Sequence, residues 1–420
     1  MNYKKLKAAC YMTNCTMAVT ANLSPLLFLT FNKMYGVSYT LLGSLVLVNF
    51  CTQLGIDLIF SFFSKKFNIP KTVKMMPVIS FVGLILFAVS PWIFKGSVYV
   101  GLVLGTVIFS VAAGLSEVLN SPTVAAIPSD NPDREMSKLH SIYAWGVVAM
   151  VILSTLFLNF VGREYWQWLP IAFSLVPLTA AILFSTCGEI PVLPEGDDQN
   201  HKSGLKDQIK HGLLLFVFAI FLGGASECNM AQWASGYIEG VLGLPKAVGD
   251  ILGVAMFAAA LGLGRSLYAK FGKKISTVMV CGFIGAAICY LTAALCNIPV
   301  IGLAACAMTG FCASMLWPGS LIWVAEALPF CGVTVYALMA AGGDLGGALG
   351  SQLVGVITDG VAAMPRAAEL ALSMGITPEQ LGMKAGMIFS AVFPMIGAAL
   401  CLVIMKKIFS PHPRHLGAEK

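Results

Sequence analysis

The chain has 420 residues, of which 58% are hydrophobic and only 11% carry charge, against roughly a quarter charged in soluble domains. That balance excludes an ordinary water-soluble enzyme and makes lipid the expected solvent. The formal net charge of +6 is scattered through short loops with no contiguous basic face, which excludes nucleic acid as a partner.

Twelve apolar stretches are long enough to cross a bilayer, at about 20 residues each. In chain order they run 8–31, 39–63, 75–94, 98–126, 138–161, 167–187, 210–239, 247–269, 276–296, 299–325, 333–358 and 382–406. The expected fold is an all-α polytopic membrane protein with twelve transmembrane helices. The N-terminal basic start is followed by an apolar run that continues through "LSPLLFLTF", so it reads as an uncleaved first helix and not as a signal peptide. With the N-terminus inside, 19 of the 26 Lys and Arg fall at cytoplasmic ends. The positive-inside rule then predicts an inner (plasma) membrane protein with both termini cytoplasmic.

The second span carries Asp57. The fourth carries "GLSEVLNSP", in which Glu117 lies three residues before Asn120 and five before Pro122. A proline there is expected to break or kink the helix. A charge at mid-bilayer costs about 2.5–3.5 kcal/mol, so a carboxyl in such a place has its charged form disfavoured, as a proton-coupling group requires. The competing reading is a glutamate that merely joins helices through an amide. The fifth span opens on "LHSIYAWG", with Tyr143 and Trp145.

Between the sixth and seventh spans, "CGEIPVLPEGDDQNHKSGLKDQIKH" is rich in Pro, Gly and both charge signs and reads as a cytoplasmic linker. It divides the chain into a first unit at 1–187, a linker at 188–209 and a second unit at 210–420. Matching punctuation in the fourth and tenth spans, "GLSEVLNSP" and "GFCASMLWP", indicates two pseudo-symmetric bundles of six helices.

The seventh span spends Glu227, Asn229, Gln232 and Trp233 within seven residues. Polar breadth of that kind suits a helix facing a water-filled cavity, with amides and an indole offered to a solute. Trp145, Tyr143, Trp233, Tyr237, Trp317 and Trp323 together resemble an aromatic lining for sugars or other flat polar solutes, though each aromatic singly is a packing or interface residue. Arg265 and Glu326 lie near inner ends, where an interfacial ion pair or loop clasp accounts for them. Span eleven, "VYALMAAGGDLGGALGSQLVGVI", reads as a close-packing seam. Its Asp344 is either a second ionisable site or a helix–helix hydrogen bond. After it, Thr377, Pro378 and Gln380 form a helix-start signature, from which a short surface helix is expected.

The twelve cysteines include no CxxC pair, the five histidines show no metal spacing, and there is no phosphate-cradling glycine loop. No enzyme, metal or cofactor is expected.

Twelve spans, a central linker and repeated halves resemble the major facilitator superfamily across essentially the whole chain. Within it, "GLSEVLNSP", "LHSIYAWG" and "GASECNMAQW" are similar to the fourth-, fifth- and seventh-span motifs of the fucose permease-like branch of sugar:proton symporters. By that resemblance Glu117 and Pro122 match, Asn lies at 120 and not beside the proline, and Glu227 is displaced by one. "NLSP" places Ser24 where that branch carries an acid, and the loop after span two lacks the superfamily's Asp-Arg signature.

The expected function is a monomeric secondary transporter working by alternating access, taking up a small polar organic solute, a sugar or sugar derivative foremost, together with protons. Glu117, Glu227 and Asp344 are the proton-coupling candidates. Asn120, Tyr143, Trp145, Glu227, Asn229, Gln232, Trp233 and Trp317 are the solute-binding candidates. Proton-driven export of an amphipathic compound and a non-transporting membrane sensor are the alternatives.

Overall fold

The computed structural model describes residues 3–63, 66–125, 127–128, 132–188, 190, 208–209, 211–272, 274–328 and 333–408. The described chain is helical throughout its length. The helices are α1 (Tyr3–Leu26, continued by Phe28–Tyr35), α2 (Tyr39–Phe63), α3 (Ile69–Ile93), α4 (Val98–Ala125), α5 (Pro132–Phe160) and α6 (Trp168–Phe173 with Leu175–Thr186). The second set is α7 (Leu213–Gly240), α8 (Lys246–Val248, Gly249–Ala255 and Met256–Phe271), α9 (Ile275–Leu295), α10 (Pro299–Ala313 with Leu316–Ala327), α11 (Val333–Ala362) and α12 (Pro378–Ser390 with Val392–Ile408). These match the twelve expected spans. The linker expected at 188–209 lies largely outside the described residues.

Ten of the helices are long and apolar enough to cross a membrane by length and hydropathy, and the apolar part of α5, Trp145–Phe160, is shorter. The first helix falls short of that hydropathy because it carries a polar face inward. Thr13, Thr16 and Thr20 bury their hydroxyls by donating to the carbonyls of Ala9, Met12 and Thr16, at 2.9, 3.0 and 3.1 Å. Such back-bonding lets a hydroxyl sit in a dry helix contact without a partner on another helix.

Two local expectations are corrected. Position 122 does not end α4, which runs on to Ala125. It is α10 that breaks, at Ser314 and Met315, so the matching Gly and Pro spacing of the two spans does not give matching backbones. The Thr377 signature is a complete capping box: Thr377 Oγ1 accepts from the Gln380 amide at 3.2 Å, and the Gln380 side chain accepts from the Thr377 amide at 2.9 Å. It starts the twelfth membrane helix itself, and the short surface helix lies earlier, at Ala367–Ser373.

We call the side where α1 begins and α6 ends the near side, and the other the far side. The small residues of α11 bring it against α7. A methyl group added at Gly346 would strike the carbonyl of Phe221, and one at Gly224 the carbonyl of Gly343. Without a hydrophobic force between helices in lipid, contacts this close supply the packing. Gly346→Ala is expected to destabilise the protein by about 1–3 kcal/mol, read as an earlier melting transition in detergent. An unchanged transition would mean that the seam yields freely.

Candidate functional site

Three acids meet between the two halves. Asp57 of α2, Glu117 of α4 and Asp344 of α11 each place a carboxylate oxygen within 4.8 Å of the others. Glu117 is exposed although it lies deep within its helix. Its neighbour Asp344 belongs to the other half, so that exposure is to a hollow between the halves and not to lipid. Asp344 is buried, and its Oδ2 has no hydrogen-bond partner; nor has the buried Oδ1 of Asp57. Two ionised carboxylates within 4.8 Å of each other repel by at least roughly 3 kcal/mol at an effective dielectric near 20. The three cannot all be ionised without positive charge among them. Oxygen donors alone suit shared protons or a hard cation.

Glu227 is not part of this cluster. Its carboxylate faces the Arg265 guanidinium at 3.3 and 3.5 Å, and Arg265 Nε donates to the Ser314 carbonyl at 3.0 Å. The Arg265 side chain is 43% exposed and that of Glu227 19%. Of the two readings offered for Arg265, an ion pair or a loop clasp, the structure shows an ion pair, with Glu227 on α7, and the broken turn of α10 supplies the carbonyl that orients it.

Several solute-binding candidates are buried and bonded to neighbouring helices, with Oδ1 of Asn120 and of Asn229 left without a partner among the described residues. Asn120 is buried and donates to the Cys10 carbonyl at 3.0 Å and to Asn14 Oδ1 at 2.6 Å, while Asn14 donates to the Leu139 carbonyl at 2.8 Å. It ties α4, α1 and α5 together. Asn229 donates to Ser390 Oγ at 3.0 Å, joining α7 to α12. The Trp233 indole donates to the Ser351 carbonyl at 3.1 Å and meets Phe28 edge-on at 5.1 Å. Tyr237 donates to the Ala293 carbonyl at 3.0 Å, and Trp323 packs edge-on against Phe216. Asn120, Asn229, Trp233 and Tyr237 each make a helix–helix bond, which sequence spacing could not distinguish from a solute contact.

The remaining candidates divide. Tyr143 is half-buried. Trp145 lies two residues on, about 200° around the helix, and is 72% exposed on the stripe that continues through Leu153, Leu156 and Phe160. It does not share the face of Tyr143. The Trp317 ring covers Gly343, next to Asp344. Gln232 borders a small cavity with Thr20, Ser24, Asn49 and Thr106.

The halves are held together at the far side. Glu239 of α7 receives Arg163 at 2.6 Å and Lys33 at 3.3 Å. The Asp359 carboxylate at the end of α11 accepts the backbone amides of Tyr39 and Thr40 at 3.2 and 2.6 Å. Below these lies a buried ion pair that sequence reading missed. Lys246 and Asp250, 3.1 Å apart, flank the start of a π-helical turn at Gly249–Ala255. Asp250 accepts from Thr155 of α5 at 3.0 Å and from Ser235, while Lys246 donates to the Leu26 carbonyl of α1 at 2.9 Å. Lys246 reads as an external loop lysine by position alone. The available signal was a Lys and an Asp four apart in an otherwise apolar run.

The sequence matches the family profile described as Major Facilitator Superfamily over residues 9–351. No curated protein sequence matches the chain. Among solved structures, an inward-facing, unoccupied bacterial homolog to the human lysosomal transporter Spinster aligns with a TM-score of 0.71 at 15% identity, covering 98% of this chain and 99% of that one. The inward-open xylose transporter XylE from E. coli gives 0.68 at 14%, over 98% and 96%. The nucleoside transporter NupG gives 0.65 at 13%, over 97% and 100%. At these identities the likeness shows the fold alone.

Proposed function

The chain belongs to the major facilitator superfamily and is a membrane transporter, and on that premise we propose that it carries a small polar organic solute into the cell together with protons. The observation that carries this reading is the meeting of Asp57, Glu117 and Asp344 across the two halves, with carboxylate oxygens within 4.8 Å and no cation beside them among the described residues. The moving bodies are the units at 1–187 and 210–420, joined by 188–209, in the inner membrane with the near side cytoplasmic. The lysine and arginine distribution supports that orientation.

In this reading the protein stands closed to the outside, held by the Glu239 and Asp359 contacts, and open to the cytoplasm. Protons shared among the three acids let α2 and α4 lie against α11. Their loss to the cytoplasm leaves like charges facing one another and pushes those helices apart, so protonation biases which way the halves rock. Glu227 is paired with Arg265 at 3.3 Å, and that pair lines the hollow where solute passes. The proton role therefore falls to Asp57, Glu117 and Asp344, Asp57 being an addition to the acids named from sequence. A sugar or sugar derivative remains the favoured solute; the xylose-proton symporter among the structural neighbours is in keeping with it.

The test is reconstitution in liposomes with a panel of neutral sugars, nucleosides and small peptides. Addition of the transported solute is expected to alkalinise a weakly buffered medium. Solute entry that requires sodium and moves no protons would replace the proton by another ion, and no entry of any solute would remove the uptake reading.

A further inference from the structure

Toward the far side, between α1, α2, α4 and α7, lies a small cavity of about 10 Å³, room for about one water-sized group. It is bordered by Thr20 and Ser24 of α1, Asn49 of α2, Thr106 and Phe109 of α4, and Gln232 of α7. Asn49 is eight residues, or about 12 Å of helix, farther toward the far side than Asp57. The cavity is thus distinct from the carboxylate cluster.

Three of its polar atoms have no partner: Ser24 Oγ, Thr106 Oγ1 and Gln232 Oε1. Their residues are only 7%, 1% and 5% exposed. Buried polar atoms are nearly always bonded, so three orphans around one cavity call for an occupant. The hydroxyls had an alternative. Thr20, Ser116, Thr123, Ser226, Thr309 and Ser320 all donate to the carbonyl four residues back. Ser24 and Thr106 do not.

The chemistry of the orphans selects the occupant. Gln232 Oε1 only accepts, so the occupant must donate. Ser24 and Thr106 can donate or accept, and are satisfied together by a group that does both. An ammonium has no acceptor and a carboxylate no donor. Among the described residues no ionisable side chain borders the cavity, and Lys246 and Asp250 neutralise each other at 3.1 Å. A neutral hydroxyl meets every condition.

We infer that Ser24, Thr106 and Gln232 form a pocket for a single uncharged hydroxyl of the transported solute, with water in its place when solute is absent. This rests on the transport reading above and narrows its solute to a neutral polyhydroxy compound. Ser24 and Thr106 come from the first half and Gln232 from the second. One hydroxyl therefore bonds both halves at once and favours their closure around it.

The experiment is uptake into liposomes of D-xylose, D-ribose and D-galactose, their monodeoxy analogues, and the corresponding uronic acids and amino sugars. Thr106→Val and Ser24→Ala are compared with wild type, with Thr106→Ser as the conservative control and melting in detergent as the check on folding. For an accepted neutral sugar, Thr106→Val is expected to raise KM about tenfold, the effect of one lost hydrogen bond, and Thr106→Ser to restore it. One monodeoxy analogue, lacking the hydroxyl concerned, should be transported equally by wild type and Thr106→Val. Uptake confined to charged sugars, or a neutral sugar indifferent to both substitutions, would overturn the pocket and leave the transport reading standing. Uptake of nothing in the panel would overturn both the pocket and the sugar assignment.

Discussion

Glu117→Gln is expected to abolish solute-driven proton entry while leaving exchange of labelled solute across the membrane. The amide keeps the size and the hydrogen-bonding reach of the side chain but cannot take up and release a proton. Exchange needs only loading, rocking and unloading, whereas net coupled uptake needs the cluster to change its proton content. The effect on alkalinisation should be complete, because Glu117 is the exposed member of a cluster whose oxygens lie within 4.8 Å of one another. Asp57 is half-buried and Asp344 buried, so Glu117 is the member most open to water. Glu227→Gln provides the contrast. It removes the Arg265 partner at 3.3 Å and should weaken uptake while leaving protons and solute linked. Unchanged proton movement in Glu117→Gln would remove this residue from the coupling mechanism.

Asp250→Ala should have the largest effect on stability. It leaves Lys246 with the Leu26 carbonyl and Ser235 Oγ, at 2.9 and 3.1 Å, but with its countercharge gone from a site where the lysine side chain is only 8% exposed. Stripping one partner from a buried pair costs about 3–5 kcal/mol, whereas replacing both by apolar groups of similar size is often neutral. The double substitution Lys246→Met with Asp250→Leu should therefore melt later in detergent than Asp250→Ala alone. A single variant that melts like wild type would show that water reaches Lys246 and that the pair is not sealed. Because Thr155 and the Leu26 carbonyl come from the other half, the loss should also loosen the far-side closure. Spin labels on α5 and α8 near that side should report longer distances in Asp250→Ala.

The Asn120 and Trp233 results show where sequence reading stops. Both were singled out because a polar group in an apolar span must be satisfied by something. Both donate to neighbouring helices, Asn120 to Cys10 and Asn14 and Trp233 to Ser351, although among the described residues Asn120 Oδ1 has no partner. Those partners lie more than a hundred positions away in the chain. Trp145 is separated from Tyr143 for a local reason: two residues along a helix turn the side chain by about 200°, so the helical period alone sets the two on different faces.

The twelve helices and their approximate limits were fixed by composition, because a backbone in lipid must satisfy its own hydrogen bonds and about 20 apolar residues are needed to do so across the core. Asp57, Glu117, Glu227 and Asp344 could likewise be found, since each is costly at that depth, whereas Asp250 near the start of its span was missed. Which acids face one another was decided only by tertiary packing. Asp57, Glu117 and Asp344 come together, Glu227 turns to Arg265, and Asp250 binds Lys246. Electrostatic partnership depends on distances of a few ångströms between helices remote in sequence, and apolar length and period carry no information about those distances.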